Sequence, residues 1–446
     1  MDTPPPLIPS SLVATWQRFS LPAKCAGIAL LVLILQIPIM MVHGLRNERA
    51  QRRDDAVAEI GRTWGGPQTL VGPVLAVPFT FRPSGQAAAP RVAWAYFLPE
   101  TLDVKGSLAT ERRSRGIYTA VVYTGSLTLS GRFAAPDWTS LGVEPVEIRW
   151  TEARIILAVG DAKGIREAPA WTWCGRRISW TAGSGWGSFR AGLHAAVPVD
   201  APAPMAFSIP LTLAGSHRFS VVPAGAHTTV ALTSPWPDPG FEGAVFPVTR
   251  TVNAGGFNAC WVVNSLGRNL AQQWAEGTYE PYPGANDIAA TALGVNLAPT
   301  VDTYRTLDRA LKHSLLFLAL VFTAFFTFEM TGTSRLKMLH YLLVGASLCL
   351  FYLGLLALSE FVGFAWAYLL SAASSTLLIA GYSASVLGSW RRAGVAAGAT
   401  GGVYGYLYFV LQMQDYALLA GTLALFAALA AIMVVTRRWE RLHEPS

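Results

Sequence analysis

Six apolar stretches flank one large polar block, and no other feature of this chain limits its fold as strongly. The first runs from Ala23 to Val42. The other five crowd into the last third, at Leu311–Met330, Leu339–Leu358, Ala365–Leu387, Gly394–Leu411 and Tyr416–Val435. Each is near the length needed to cross a hydrocarbon core of about 30 Å at about 1.5 Å per residue. Lipid offers backbone amides no partner, so each reads as a helix. The chain has 446 residues, 52% hydrophobic and 14% charged, which suits a polytopic membrane protein with a sizeable polar domain.

The short loops carry their positive charge on one side. Arg18 and Lys24 precede the first stretch; Arg335 and Lys337, then Arg391 and Arg392, fall in alternate loops; Arg437, Arg438 and Arg441 follow the last. The loops Ser359–Phe364 and Gln412–Asp415 hold no Lys or Arg. Positive-inside then puts both termini in the cytoplasm and the block outside. Arg46, Arg49, Arg52 and Arg53 disagree, standing just after the first stretch among Glu48, Asp54 and Asp55. No small-residue cleavage pattern follows that stretch, so it reads as an uncleaved signal anchor. The absence of an Asn-x-Ser/Thr site fits a bacterial envelope. The expected plan is an α+β membrane protein of the inner membrane. It has a cytoplasmic tail (1–22), a transmembrane helix (23–42), a large periplasmic β-rich, sandwich-like domain with membrane-proximal helical segments (43–310), a five-helix bundle (311–435) and a cytoplasmic tail (436–446).

Within the block, residues 44–64 read as a helix continuing the first span, with Glu48 and Arg52 an i,i+4 pair and Val57, Ile60 and Trp64 on one face. From Leu70 the pattern turns to short β-branched and aromatic runs punctuated by Gly, Pro, Asp and Ser. Leu127 and Leu129 alternate with Ser126, Thr128 and Ser130 as a half-buried strand requires. Trp171, Trp173, Trp180 and Trp186 read as core or strand-face residues, with a sugar- or lipid-binding role as the alternative. Cys174 and Cys260 read as two thiols or, outside the cytoplasm, a disulfide. His217 and His227 flank an expected turn at Val222–Gly225 and would face each other across a hairpin; two His without a third ligand do not make a metal site. Pro38 is expected to kink the first span locally.

The formal charge of +7 is scattered, with no basic helix or aromatic-basic module, so no nucleic-acid partner is expected. Ser334–Lys337 spells SxxK without companion motifs, and GSGWG at 183–187 lacks dinucleotide-binding spacing. No spacing signals a nucleophile, a cofactor or a metal, and Glu100 and Asp161 read as strand-end and turn residues. Glu329 and Glu360 end the second and third spans. A carboxylate beside hydrocarbon is costly and calls for a partner. Glu329 is expected near Arg335 or Lys337. Glu360 is expected near Arg305, Arg309 or Lys312 of the charged collar 301–313, in which Asp302 with Arg305 and Asp308 with Lys312 pair along a helix. The two acids either mark the interface or couple collar to bundle. Gly394, Gly398 and Gly402, with Gly401 and Gly405, form small-xxx-small ridges that read as helix packing within the chain, with homodimerisation as the alternative.

Several segments carry a resemblance. LVGPVLAVPFT (70–80), FLPETLDVKG (97–106), RGIYTAVVY (115–123), VGDAKGI (159–165) and SVVPAG (220–225) resemble the CreD family of Gram-negative inner-membrane proteins. So do VDTYRTLDRALKHSLLFLALVFTAFFTFE (301–329) and HYLLVGASLCLFYLGLLALSE (340–360), the latter two including the FE and SE positions of Glu329 and Glu360. The resemblance spans roughly 35–440. His313 and His340 depart from it, standing where an aromatic and a Gln are expected. It implies an envelope-integrity protein in the output of a carbon-source-responsive two-component system, linked with envelope stress, colicin tolerance and β-lactam response; no enzymatic activity, cofactor or catalytic residue is established for the family, so the resemblance carries none over. The reading is a non-enzymatic envelope protein whose β-domain binds a lipid, a wall component or a protein, among membrane lipids and with a homo-oligomer open. The alternatives are a lipid or small-molecule transporter or translocase and, third, a tethered periplasmic hydrolase.

Overall fold

Short β-branched runs fold as strands here and long apolar runs as helices, as their periodicities require. The computed structural model describes residues 10–82, 89–167, 170–197, 199, 203–268, 270–276, 284–298, 303–331, 336–387, 389–413 and 417–442. Helix α1 (Ser10–Trp64) leads into β1 (Gln68–Phe81), β2 (Arg91–Phe97), β3 (Thr101–Arg115), β4 (Tyr118–Phe133), β5 (Glu147–Ile148), β6 (Arg154–Ala158), β7 (Trp171–Trp173), β8 (Arg176–Ile178) and β9 (Thr181–Ala182). Then come β10 (Gly192–Ala196), β11 (Met205–Ser216), β12 (Arg218–Val221), β13 (His227–Ser234), β14 (Gly240–Gly243), β15 (Thr249–Asn253), β16 (Gly256–Asn264), β17 (Gln273–Ala275), α2 (Ala285–Ala290) and β18 (Leu293–Asn296). Helices α3 (Thr303–Lys312), α4 (Ser314–Thr331), α5 (Met338–Val362), α6 (Phe364–Leu387), α7 (Trp390–Gln412) and α8 (Ala417–Leu442) follow. The chain divides into a helical unit, Met1–Arg52 with Val301–Ser446, and a β unit, Arg53–Thr300.

The β unit has two sheets. One runs β14-β18-β12-β1-β6-β10-β9, with β2 and β5 also on β1 and β17 on β2; the other runs β15-β16-β13-β3-β4-β11-β7-β8. Along β4, Leu127 and Leu129 are buried while Ser126 and Thr128 are exposed. One core takes Leu75, Ile155 and Phe219 from the first sheet and Val104, Leu129 and Trp261 from the second. A core shared by two sheets is what a β-sandwich requires. Trp171 and Trp180 stack at 3.9 Å between ring centroids, and Trp171, Trp173 and Trp186 are buried.

A polar knot closes this core where β1 begins. Gln68 is fully buried; its Nε2 donates to the carbonyls of Asp161 at 3.0 Å and Ala214 at 2.9 Å, and its Oε1 accepts from the Asp161 amide at 3.1 Å. The Asp161 carboxylate takes the amides of Gly66 and Lys163, both at 3.0 Å. A buried amide with both ends bonded costs little, and Asp161 is a turn residue.

One reading of this block is corrected. His217 and His227 do not face each other across a hairpin: His217 precedes β12 in one sheet, His227 opens β13 in the other, and Val222–Gly225 is a crossover between sheets. Cys174 and Cys260 are both free thiols. Among the described residues no group of three or more His, Cys, Asp or Glu is placed to hold a metal.

In the helical unit, α1 runs unbroken through Pro38 and extends the expected first span at both ends. Its buried stripe Leu31, Leu35, Ile39 and Val42 joins Phe322, Tyr341, Val344 and Leu348 in one core. Gly345 on α5 permits this approach: a Cβ there would stand 2.2 Å from Leu35 Cδ1 and 3.0 Å from Phe322 Cζ. The collar and the second apolar stretch do not form one rod. α3 ends at Lys312, α4 starts at Ser314, and their axes bend by 51°. Among the described residues four helices are long and apolar enough to cross a membrane, Ala23–Trp64, Met338–Val362, Phe364–Val386 and Trp390–Gln412, or five if the bent pair counts as one. The sixth stretch falls on α8, parts of which lie outside the described residues, as do Asp302, Ser334 and Arg335.

His217 gives the β unit a pH dependence. It holds a left-handed φ of 59°, its Nε2 is buried without a partner, and burial lowers its pKa below 6.5 against the opposing pull of Asp54. The unfolded chain therefore takes up this proton first as pH falls. Its contribution is complete above the unfolded value and is lost on acidification from there down to the folded value. His217→Asn keeps the left-handed backbone and removes the titration. Thermal unfolding from pH 7.5 to 5 is expected to show a shallower acid decline in that variant than in the natural protein.

Candidate functional site

Two carboxylates organise the helical unit, one near each end of α5. Glu329, in the last turn of α4, has a side chain 8% exposed. Its Oε1 pairs with Lys24 Nζ of α1 and accepts the Leu336 amide at 3.1 Å. Its Oε2 accepts Tyr341 Oη of α5 at 2.9 Å. Lys24 also donates to the Leu336 carbonyl at 2.8 Å and lies 5.9 Å from the centre of the Tyr341 ring. Both carboxylate oxygens and the ammonium are thus committed, which is how a charge survives among apolar side chains.

Glu360, near the end of α5, repeats the scheme of a cation from α1 and a tyrosine, here with arginine in place of lysine. Its side chain is 8% exposed, its Oε1 accepts Tyr304 Oη of α3 at 2.8 Å, and its Oε2 meets Arg49 Nη1 of α1 at 3.4 Å. Arg46 braces the tyrosine from the backbone side, donating to the Tyr304 carbonyl from Nε at 3.0 Å and Nη2 at 2.7 Å. One turn further along α3, Asp308 binds Lys312 at 2.7 Å and faces His43 Nε2 of α1 at 3.8 Å. His43, Arg46 and Arg49 stand three residues apart, so they share one face of α1 and continue its buried stripe.

The partners differ from those the loops suggest. The cation at Glu360 is Arg49, not Arg305, Arg309 or Lys312: Arg305 is exposed, Arg309 reaches Thr306 Oγ1 at 3.4 Å, and Lys312 serves Asp308. The cation at Glu329 is Lys24, while Lys337 is exposed. Lys24, Tyr341, Tyr304, Arg46 and Arg49 had no motif to mark them; the one signal was the run of arginines that disagrees with the loop charges. Among the described residues Gly394, Gly398, Gly402 and Gly405 do not pack against another helix. They are exposed, and a Cβ on any of them would meet nothing within 4 Å. α7 buries its other face, through Ala396, Thr400, Tyr404 and Leu407.

Between the two acids the interior of α5–α7 is polar but self-satisfied in part. Tyr404 Oη donates to Ser375 Oγ at 2.7 Å, Ser375 and Ser347 hydroxyls meet at 2.8 Å, and Tyr368 Oη donates to the Tyr404 carbonyl at 2.6 Å. In the β unit Glu100 forms a two-pronged pair with Arg132, at 2.8 and 3.1 Å, and that hydrogen bonding holds its carboxyl below the usual carboxylate range. It is a strand-end ion pair on the surface, which contributes little to stability.

A family model described as Inner membrane protein CreD matches residues 20–441. The chain is also similar to the inner membrane protein CreD of Escherichia coli (strain K12), 35% identical over 416 residues, covering 91% of this chain and 90% of that protein.

Removing one partner of a nearly buried, hydrogen-bonded charge strands the other. Glu329→Gln is expected to lower stability in detergent by about 1.5–3 kcal/mol. Glu360→Gln is expected to cost less, because Arg49 is 38% exposed and keeps its water. Lys24→Met should recover part of the Glu329→Gln loss when the two are combined, as measured by thermal unfolding of all four proteins; strictly additive losses would deny the pairing.

Proposed function

Because the chain belongs to the CreD family of inner membrane proteins, we propose that it is a non-enzymatic envelope protein with six spans, both termini in the cytoplasm and the β unit in the periplasm. Its role in this reading is to support envelope integrity under stress. The β unit meets a lipid, a wall component or a protein, and the helical unit anchors it and passes on its state.

The observation that carries the reading is the pair of carboxylate clusters to which α1 supplies the cations. Lys24 and Arg49 stand about 37 Å apart at about 1.5 Å per residue, slightly more than the roughly 30 Å hydrocarbon core. Each cation meets a glutamate and a tyrosine, so the charged groups fall where headgroups and water begin. Between them α1 exposes Leu30, Leu33, Ile37, Met40 and Met41, a surface that suits lipid and not water. The outward glycine ridge of α7 leaves room for a second copy of the chain. A transporter or lipid translocase would call for uncommitted polar groups at mid-depth. Here the hydroxyls of Tyr368, Ser375 and Tyr404 bond one another or the backbone, while Gln36 Nε2, Tyr352 Oη and Ser371 Oγ are buried without a partner among the described residues, so transport stays as the second reading.

Alkaline phosphatase joined at residues 130 or 230 is expected to be active and green fluorescent protein there dark, with the opposite result at the C-terminus. Active phosphatase at the C-terminus, or fluorescence at 130, would reverse the orientation.

A further inference from the structure

Arg154 has no hydrogen-bonding or ion-pair partner among the described residues. It opens β6 and lies half-buried on one face of the first sheet. The register explains its neighbours. Arg154 stands opposite Ala76 on β1, and Trp94 on β2 stands opposite Pro78, two residues along β1 and so on the same face. The guanidinium carbon sits 4.9 Å from the centre of the Trp94 ring. On the other side β10 brings His194 opposite Ile156 of β6, again on that face.

The glycine-rich turn 183–187 borders the group. Gly185, with φ of 68°, runs so close that a Cβ there would stand 3.7 Å from His194 Nδ1 and 3.9 Å from Arg154 Nη1. His194 Nδ1 donates to the Gly183 carbonyl at 2.6 Å, which leaves Nε2 as an acceptor. The nearby carboxylate of Glu276 does not neutralise the arginine. Its oxygens take Tyr96 Oη at 2.8 Å and the Trp94 amide at 3.3 Å. A guanidinium laid on an indole keeps its N–H fork fixed and open, and that fork matches a carboxylate or phosphate.

We propose that Arg154, steadied by Trp94 and flanked by His194 and Gly185, binds the oxyanion of a hydroxylated solute, with His194 Nε2 accepting from a solute hydroxyl. The shared chemistry is the oxyanion, carried as the carboxylate of a sugar acid or as a phosphate. The site depends on the β unit alone and not on which side of the membrane that unit lies, so its failure would leave the topology reading intact.

Calorimetric titration of the full-length protein in detergent with glucuronate, inorganic phosphate and glucose tests this. Glucuronate or phosphate is expected to bind saturably and glucose not. Arg154→Met should weaken that binding at least about tenfold, a loss of about 1.4 kcal/mol or more. Arg154→Lys keeps the charge without the fork and should bind more weakly than the natural protein and more tightly than Arg154→Met. Saturation by glucuronate alone assigns a sugar acid, and saturation by phosphate alone assigns a phosphate or lipid headgroup. No saturation by either anion, or unchanged binding by a folded Arg154→Met protein, overturns the proposal.

Discussion

A carboxylate held against hydrocarbon must be neutralised where it stands, and the helical unit is arranged around two places where that happens. Moving an isolated carboxylate into a medium of low dielectric costs tens of kcal/mol in the idealised limit and several in a real protein. Neither Glu329 nor Glu360 relies on a single contact. Each has a cation from α1, a tyrosine hydroxyl from another helix and, at Glu329, a backbone amide. Such redundancy leaves few lone pairs unmet, the condition under which a buried pair holds its geometry.

The consequence is that α1 is fixed at two points along its length. Its apolar stripe already favours one register along α5, since Leu35 sits at the notch left by Gly345. Lys24 on Glu329 and Arg49 on Glu360 reinforce that register, since a slide of one turn would break both. Arg46 adds a third fix by gripping the carbonyl of the tyrosine that holds Glu360. The arginines that run against the loop charge pattern thus have local partners: Arg46 on Tyr304, Arg49 on Glu360, Arg52 on Glu48 and Arg53 on Asp54.

Whatever depends on local pattern was legible in the chain. The apolar runs gave α5, α6 and α7 within a few residues, the alternation of Leu127 and Leu129 gave a strand face, and the position of Glu329 and Glu360 at run ends marked them as needing partners. What depends on distant pairing was not. No periodicity reveals that Lys24 reaches Glu329 across 305 positions, or that Arg49 reaches Glu360 across 311. The bend at His313 was hidden because hydropathy does not report helix direction. The glycine ridge misled for a related reason: spacing shows that a face is smooth, and only the position of Thr400 and Tyr404 on the opposite face shows which side is buried.

Commitment of polar groups also separates scaffolding from binding in the β unit. Arg268 is buried with no carboxylate partner among the described residues, so desolvation lowers its pKa to about 10, yet at neutral pH it stays charged. Its Nη1 donates to the carbonyls of Pro223 and Gly225 and its Nη2 to Gln272 Oε1, while Nε has no partner there, and Gln272 in turn holds the Pro99 carbonyl. It therefore ties the crossover to the start of β3, and its charge has no use beyond the fold. Arg154 differs on each count. It is only half-buried, so water can solvate it at little cost, and the sheet would lose no hydrogen bond if it were replaced. A cation that the fold does not need, kept rigid on an aromatic ring beside an imidazole acceptor, has the properties of a receptor group and not of a structural one.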